Sequence, residues 1–101
     1  MGIEITPTAL HWFQRELSLG EGDALRFDVR YDDSLSIGRN PNGFSLRLTV
    51  EKPRHPGLQT VEEGITFFIE EDELWFLDGN DLRVDYDEQE DELLYEVRDP
   101  E

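Results

Sequence analysis

Hydrophobic residues recur along this chain at two periods: every second position over most of its length, and every third or fourth in one early stretch. Ile3 and Ile5 flank Glu4, which predicts a short opening strand. Thr6-Pro7 has the chemistry of a helix start, because Thr6 offers a capping oxygen and Pro7 lacks an N–H that would go unused at the first helical position. From Pro7 to about Leu19 the spacing predicts a helix with a buried stripe of Ala9, Leu10, Phe13 and Leu17. Trp12 falls at the edge of that stripe, and Thr8, His11, Arg15 and Ser18 fall opposite. Gly20-Glu21-Gly22 is expected to end the helix.

Two strong strand patterns follow. Leu25, Phe27, Val29 and Tyr31 alternate with Arg26, Asp28 and Arg30, and Phe44, Leu46, Leu48 and Val50 alternate with Ser45, Arg47, Thr49 and Glu51. Paired antiparallel, they would form a half-buried ribbon whose outer face carries Arg26, Arg30 and Arg47. The twelve residues between them, 32–43, are more than a hairpin needs, and loops of that length are candidate functional segments. Asn40-Pro41-Asn42-Gly43 within it is turn chemistry. Residues 52–59, punctuated by Pro53, Pro56 and Gly57, read as a second loop.

Residues 64–79 are the stretch around which the other strands should assemble. A turn at Glu62-Glu63-Gly64 leads into Ile65, Phe67 and Ile69, which alternate with Thr66 and Phe68. Glu70, Glu71, Asp72 and Glu73 predict a short helix, since acids in a first turn sit well against its exposed N–H groups. Leu74, Trp75, Phe76 and Leu77 are apolar again and are expected to be packed, and Asp78-Gly79 reads as a turn. Leu82, Val84 and Tyr86, then Leu93, Tyr95 and Val97, read as a hairpin joined by the acidic residues 87–92. The expected fold is a single α+β domain over residues 1–101, mainly β, with one N-terminal helix.

Composition narrows what such a domain does. There is no cysteine, which excludes disulfides, thiolate metal sites and cysteine nucleophiles, and fits a cytoplasmic protein. No apolar run is long enough to span a bilayer, and Met1-Gly2-Ile3-Glu4 lacks the features of a signal peptide. The net charge is −16, and it is unevenly spread: residues 26–54 hold six bases against four acids, whereas residues 55–101 hold seventeen acids and two bases. So acidic a surface repels phosphate, which argues against nucleic acid and anionic membranes as partners. Eight of the nine bases are Arg, and Arg with surplus Asp and Glu is also what salt adaptation would produce.

Candidate chemistry is sparse. His11 sits on the polar helix face and His55 in a Pro-rich loop, neither with a partner at metal-ligand spacing. Asp32 and Asp33, with His55, are the one set that could offer a hard cation its ligands, although the loop lacks the Asp-x-Asp-x-Asp-Gly pattern. No nucleophile elbow, phosphate-cradling glycine loop or dinucleotide fingerprint is present, and the expectation is a protein that is not an enzyme.

Several of these segments, taken together, resemble the HesB/IscA-like family of iron–sulfur cluster biogenesis proteins, most closely its YneR-like (HesB/YadR/YfhF-type) branch. The resemblance is carried by Thr6-Pro7 and the following helix, by Leu25-Arg26-Phe27-Asp28-Val29-Arg30, by Gly43-Phe44-Ser45-Leu46, by Gly64-Ile65-Thr66-Phe67-Phe68-Ile69 and by Leu74-Trp75-Phe76-Leu77-Asp78-Gly79. It spans almost the whole chain and implies a compact β-rich fold with one prominent helix. The A-type carriers of that family hold their cluster with three cysteines, one in the loop after the Leu25 strand and two in a C-terminal Cys-Gly-Cys. Here the first would fall within residues 32–43, which have none, and the chain ends Arg98-Asp99-Pro100-Glu101 where the second pair would begin. Carboxylate and imidazole do not simply replace three thiolates on a soft cluster, so no iron–sulfur cofactor is expected.

The resemblance therefore implies a protein related to iron–sulfur cluster assembly that acts by binding a partner protein, such as one of that machinery, or a small ligand. The expected contact residues are Arg26, Arg30, Arg39, Asn40, Asn42 and Arg47, which suit anions or an acidic partner. Edge strands in so small a β domain also allow a homo-oligomer. If repulsion among the acids of the second half limits stability, the melting temperature should climb as salt is raised from low to molar concentration; a flat response would contradict this.

Overall fold

The computed structural model describes residues 2–31 and 44–99, with only the backbone described at 29–31 and 44–45. Residues 32–43 lie outside the described residues, and with them Asp32, Asp33, Arg39, Asn40 and Asn42. In chain order the elements are β1 (Ile3–Ile5), α1 (Pro7–Glu16), β2 (Ala24–Tyr31), β3 (Phe44–Val50), β4 (Pro56–Glu62), β5 (Ile65–Glu70), a 3₁₀ helix (Glu71–Phe76), β6 (Asp81–Asp87) and β7 (Glu92–Arg98). They form a three-stranded sheet of order β1-β6-β7 and a four-stranded sheet of order β3-β2-β5-β4. The α+β, mainly β architecture with one N-terminal α-helix is the one expected.

Thr6 links the small sheet to the helix. Its side-chain oxygen accepts the Ala9 N–H at 3.2 Å, and its hydroxyl donates to Asp85 Oδ1 on β6 at 2.7 Å. Pro7 occupies the first turn as expected. The helix ends earlier than its apolar spacing suggests. Leu17 N–H already bonds the Phe13 carbonyl, and Ser18 takes the left-handed conformation (φ 54°) that glycine usually supplies. The two glycines that follow form the next turn and do not cap the helix.

Ala9, Leu10 and Phe13 point into the core between the sheets. There the Phe13 ring lies 5.2 Å from Phe67 and 6.3 Å from Phe27, and Phe27 reaches Tyr95 of the other sheet at 6.2 Å. Burial pushes the Tyr95 phenol up to about 12.

One strand was not expected. Residues 52–59 read as a loop, yet Pro56–Glu62 pairs antiparallel with β5. Pro56 is its first residue and β4 is an edge, so the missing N–H breaks no ladder. The register shifts between Pro56 and Leu58, at Gly57. A Cβ at Gly57 would sit 2.5 Å from Leu74 Cδ1 and 2.8 Å from the Glu71 Cα, so only glycine lets the strand pass so close to the 3₁₀ helix. Glu63 and Gly64, with φ of 52° and 78°, then close the hairpin into β5 as a two-residue turn.

Asp85 gives a stability test. The Thr6 hydroxyl, the Tyr86 N–H and Arg83 together hold its carboxyl below the usual carboxylate range. A depressed folded-state value means its contribution is present above the unfolded value of about 3.9 and is lost as pH falls through the folded one. Thr6→Ala is expected to cost about 1 kcal/mol and lower the melting temperature by roughly 4–8 °C. Asp85→Asn should melt below wild type at pH 7, with the gap closing toward pH 2. A gap that persists in acid would refute this account.

Candidate functional site

The densest constellation of charged side chains lies where β2 passes beneath the 3₁₀ helix. Arg26 stands opposite Thr49 on β3 and Phe68 on β5, on the sheet face turned away from Leu25 and Phe67. Its side chain is 24% exposed and meets three acids, one on β2, one on the 3₁₀ helix and one just past β3. Nη2 lies 2.6 Å and Nε 3.2 Å from Glu73 Oε1, and Nη1 lies 3.0 Å from Glu51 Oε2. Asp28 stands 3.5 Å from Nη2. The bond to Glu73, then that to Glu51 and the charges of Glu73 and Asp28, raise the guanidinium above its already high value, while burial opposes them. Asp28 also takes Arg47 Nη2 at 3.3 Å.

Beside this cluster opens a cleft of about 530 Å³ lined by Arg26, Arg54, His55, Glu70, Glu71 and Asp72. Its floor is Glu70, 7% exposed, whose two carboxylate oxygens accept the backbone N–H groups of Arg54 (3.2 Å) and His55 (3.0 Å). The His55 carbonyl accepts the Glu71 N–H at 2.8 Å. A buried carboxylate with N–H donors on both oxygens is satisfied. It locks the segment before β4 onto the start of the 3₁₀ helix. The helix start is where the acids 70–73 placed it, with Glu70 buried just ahead of the first turn.

Of the residues singled out from the sequence, Arg26 and Arg47 share Asp28, and Arg30 follows on the same strand face by register, opposite Ser45. Arg39, Asn40 and Asn42 lie outside the described residues. The donors of Arg26 are occupied by the chain's own acids. His55 borders the cleft, but Asp32 and Asp33 lie outside the described residues, and among the described residues no group of three or more His, Asp or Glu side chains is gathered as metal ligands would be. A second hollow, of about 490 Å³, is lined by Gly2, Glu4, Asp81, Arg83, Arg98 and Asp99, with both arginines paired to acids.

Trp75 was expected to be packed and is 61% exposed, while Phe76 beside it is buried. The 3₁₀ period explains the difference: positions three apart eclipse, so Asp72 and Trp75 share an outward row while Glu73 and Phe76 share an inward one. The signal was the acid three residues before the tryptophan, legible only once the helix is known to be 3₁₀.

No protein-family model matches the chain. Among solved structures, it superposes on IscA with the 2Fe–2S cluster at a TM-score of 0.57 and 21% identity, covering 97% of this chain and 82% of that one. The architecture is therefore the HesB/IscA-like fold, as the sequence resemblance implied. Among curated proteins, the chain is 42% identical over 98 residues to the pyruvate dehydrogenase inhibitor of Bacillus subtilis, covering 97% of this chain and 100% of the relative. An uncharacterized protein of Staphylococcus saprophyticus is 33% identical over 101 residues, also along its full length. The chain belongs to the family of the Bacillus inhibitor. The residues present do not fit a cluster held by thiolates, because the chain has no cysteine. No described helix is long and apolar enough to cross a membrane.

Arg26→Met would leave Glu73, Glu51 and Asp28 facing one another, at an expected cost of about 2 kcal/mol that shrinks as salt screens their repulsion. Arg26→Lys, which keeps the charge but loses the planar fork, should recover less than half of it. Urea unfolding at low and high salt measures both; a Met variant as stable as wild type would remove the cluster's structural role.

Proposed function

We propose that this protein is a non-enzymatic regulator that inhibits pyruvate dehydrogenase by binding it, on a HesB/IscA-like scaffold that holds no iron–sulfur cluster. The observation that carries this reading is the end-to-end match at 42% identity to a relative named for that inhibition. The chemistry of the chain supports it. The charged constellation around Arg26 is satisfied internally, and a small acidic domain is suited to occupying a protein surface. In this reading the protein works in the cytoplasm, and residues 32–43 with the ribbon bearing Arg30 and Arg47 contribute to the contact.

A second reading has one observation in its favour, the IscA-like fold: binding to a protein of the iron–sulfur assembly machinery. A third, a hard cation held by Asp32, Asp33 and His55, rests on ligand chemistry alone.

Purified protein titrated into pyruvate dehydrogenase should lower its turnover in proportion to the complex formed. Unchanged turnover at large molar excess would overturn the reading. The same protein, treated anaerobically with iron and sulfide and then desalted, should stay colourless. Brown protein with stoichiometric iron would favour a cluster role, and a metal lost on the joint Asp32→Ala and Asp33→Ala change would favour the cation site.

A further inference from the structure

We propose that Trp75 is the anchor of a docking surface that receives a basic protein surface with an apolar pocket. This deepens the reading above, because it rests on the chain acting by binding a protein.

Three observations converge on it. First, Trp75 is the largest exposed apolar side chain among the described residues, at 61%; the others, Val50 and Val61, lie at strand ends. Tryptophan combines a large apolar area with few rotatable bonds, which is why it dominates the energetics of many interfaces.

Second, the tryptophan is held by a rigid support. The Glu70 carboxylate ties the 3₁₀ helix to the Arg54–His55 backbone, Glu73 is held by Arg26, and Gly57 sits directly against Leu74. The turn behind it is closed by Leu77 N–H to the Leu74 carbonyl (3.0 Å) and Asn80 N–H to the Leu77 carbonyl (2.9 Å). A side chain presented on so fixed a backbone loses little additional freedom when a partner covers it.

Third, the exposed acids on the same segment specify the partner's charge. Glu71, Asp72 and Asp78, on the same short segment, are all exposed. They lie in the half of the chain that holds seventeen acids and two bases. A second copy of a chain with net charge −16 would bring like charge to like, so self-association through this face is disfavoured. A basic surface is the complement, and its attraction should accelerate association at low salt.

The test has two arms. In the first, binding of pyruvate dehydrogenase is measured by calorimetry for wild type, Trp75→Ala, Trp75→Phe and Val61→Ala, each first shown by thermal melting to be folded. Trp75→Ala should weaken binding at least about 30-fold, Trp75→Phe much less, and Val61→Ala not at all. Asp72→Asn with Glu71→Gln should flatten the salt dependence. A Trp75→Ala variant that binds like wild type, or a Val61→Ala variant that loses as much, overturns the proposal.

The second arm does not depend on that enzyme. In a Trp12→Phe background Trp75 is the sole tryptophan, and a synthetic peptide of alternating Lys and Leu should shift its emission to the blue, while a Glu and Leu peptide should not. No shift, or equal shifts, would overturn the docking surface. If wild type leaves pyruvate dehydrogenase unbound yet the Lys and Leu peptide shifts Trp75, the inhibitor reading fails and the docking surface stands.

Discussion

Everything in this fold is arranged around the meeting of three phenylalanine rings. Phe13 comes from the helix, Phe27 from β2 and Phe67 from β5, and all three are fully buried. Phe27 and Phe67 lie nearly parallel, Phe13 closes over both, and Tyr95 reaches Phe27 from the opposite sheet. Aromatic rings favour such offset and edge-on contacts, which makes their geometry more restrictive than aliphatic packing. The position of the helix follows: it must lie where Phe13 can touch two strands, and Thr6 fixes its start on β6. Aliphatic side chains such as Leu25, Ile65, Leu82 and Val84 fill the core around these rings.

Local pattern carried the sequence reading a long way. The alternation of Leu25 to Tyr31 and of Phe44 to Val50 predicted an antiparallel pair, and the register with Asp28 opposite Arg47 bears it out. Thr6-Pro7, the turn at Glu63-Gly64 and the hairpin through residues 87–92 were equally legible, because each is decided by a few adjacent residues. What stayed hidden depends on distant partners or on an unusual period. β4 was obscured by Pro53, Pro56 and Gly57, residues that break a central strand but are tolerated at an edge beside a bulge. Arg26 read as an outward-facing base because its alternation is correct. That Glu51, just past β3, and Glu73 of the 3₁₀ helix would enclose it is a tertiary fact. Trp75 reads as core in the sequence because the apolar run around it gives no hint that the helix turns every three residues.

The charge of the chain is managed by placement as well as by number. The described bases of the middle section are partly consumed indoors, with Arg26 holding together acids of β2, of the 3₁₀ helix and of the residue just past β3, while the excess carboxylates face solvent on turns and strand ends. Glu70 is the exception, and it is tolerated because backbone N–H groups meet both of its oxygens. The same carboxylate that would be costly alone becomes a clamp, and the segment carrying Trp75 inherits its rigidity.

The parallel pairing of β1 with β6 has a consequence for how the chain is made. Residues at the very start align with Leu82 to Val84, and Thr6 bonds a side chain 79 positions away. Closing so large a loop is entropically unfavourable, and contacts of this span slow folding. During synthesis α1 is made well before β6, on which Thr6 docks it. Phe13 gains its first strand partner with Phe27 and its second only when Phe67 of β5 has been made, so the ring stays incompletely covered through much of elongation.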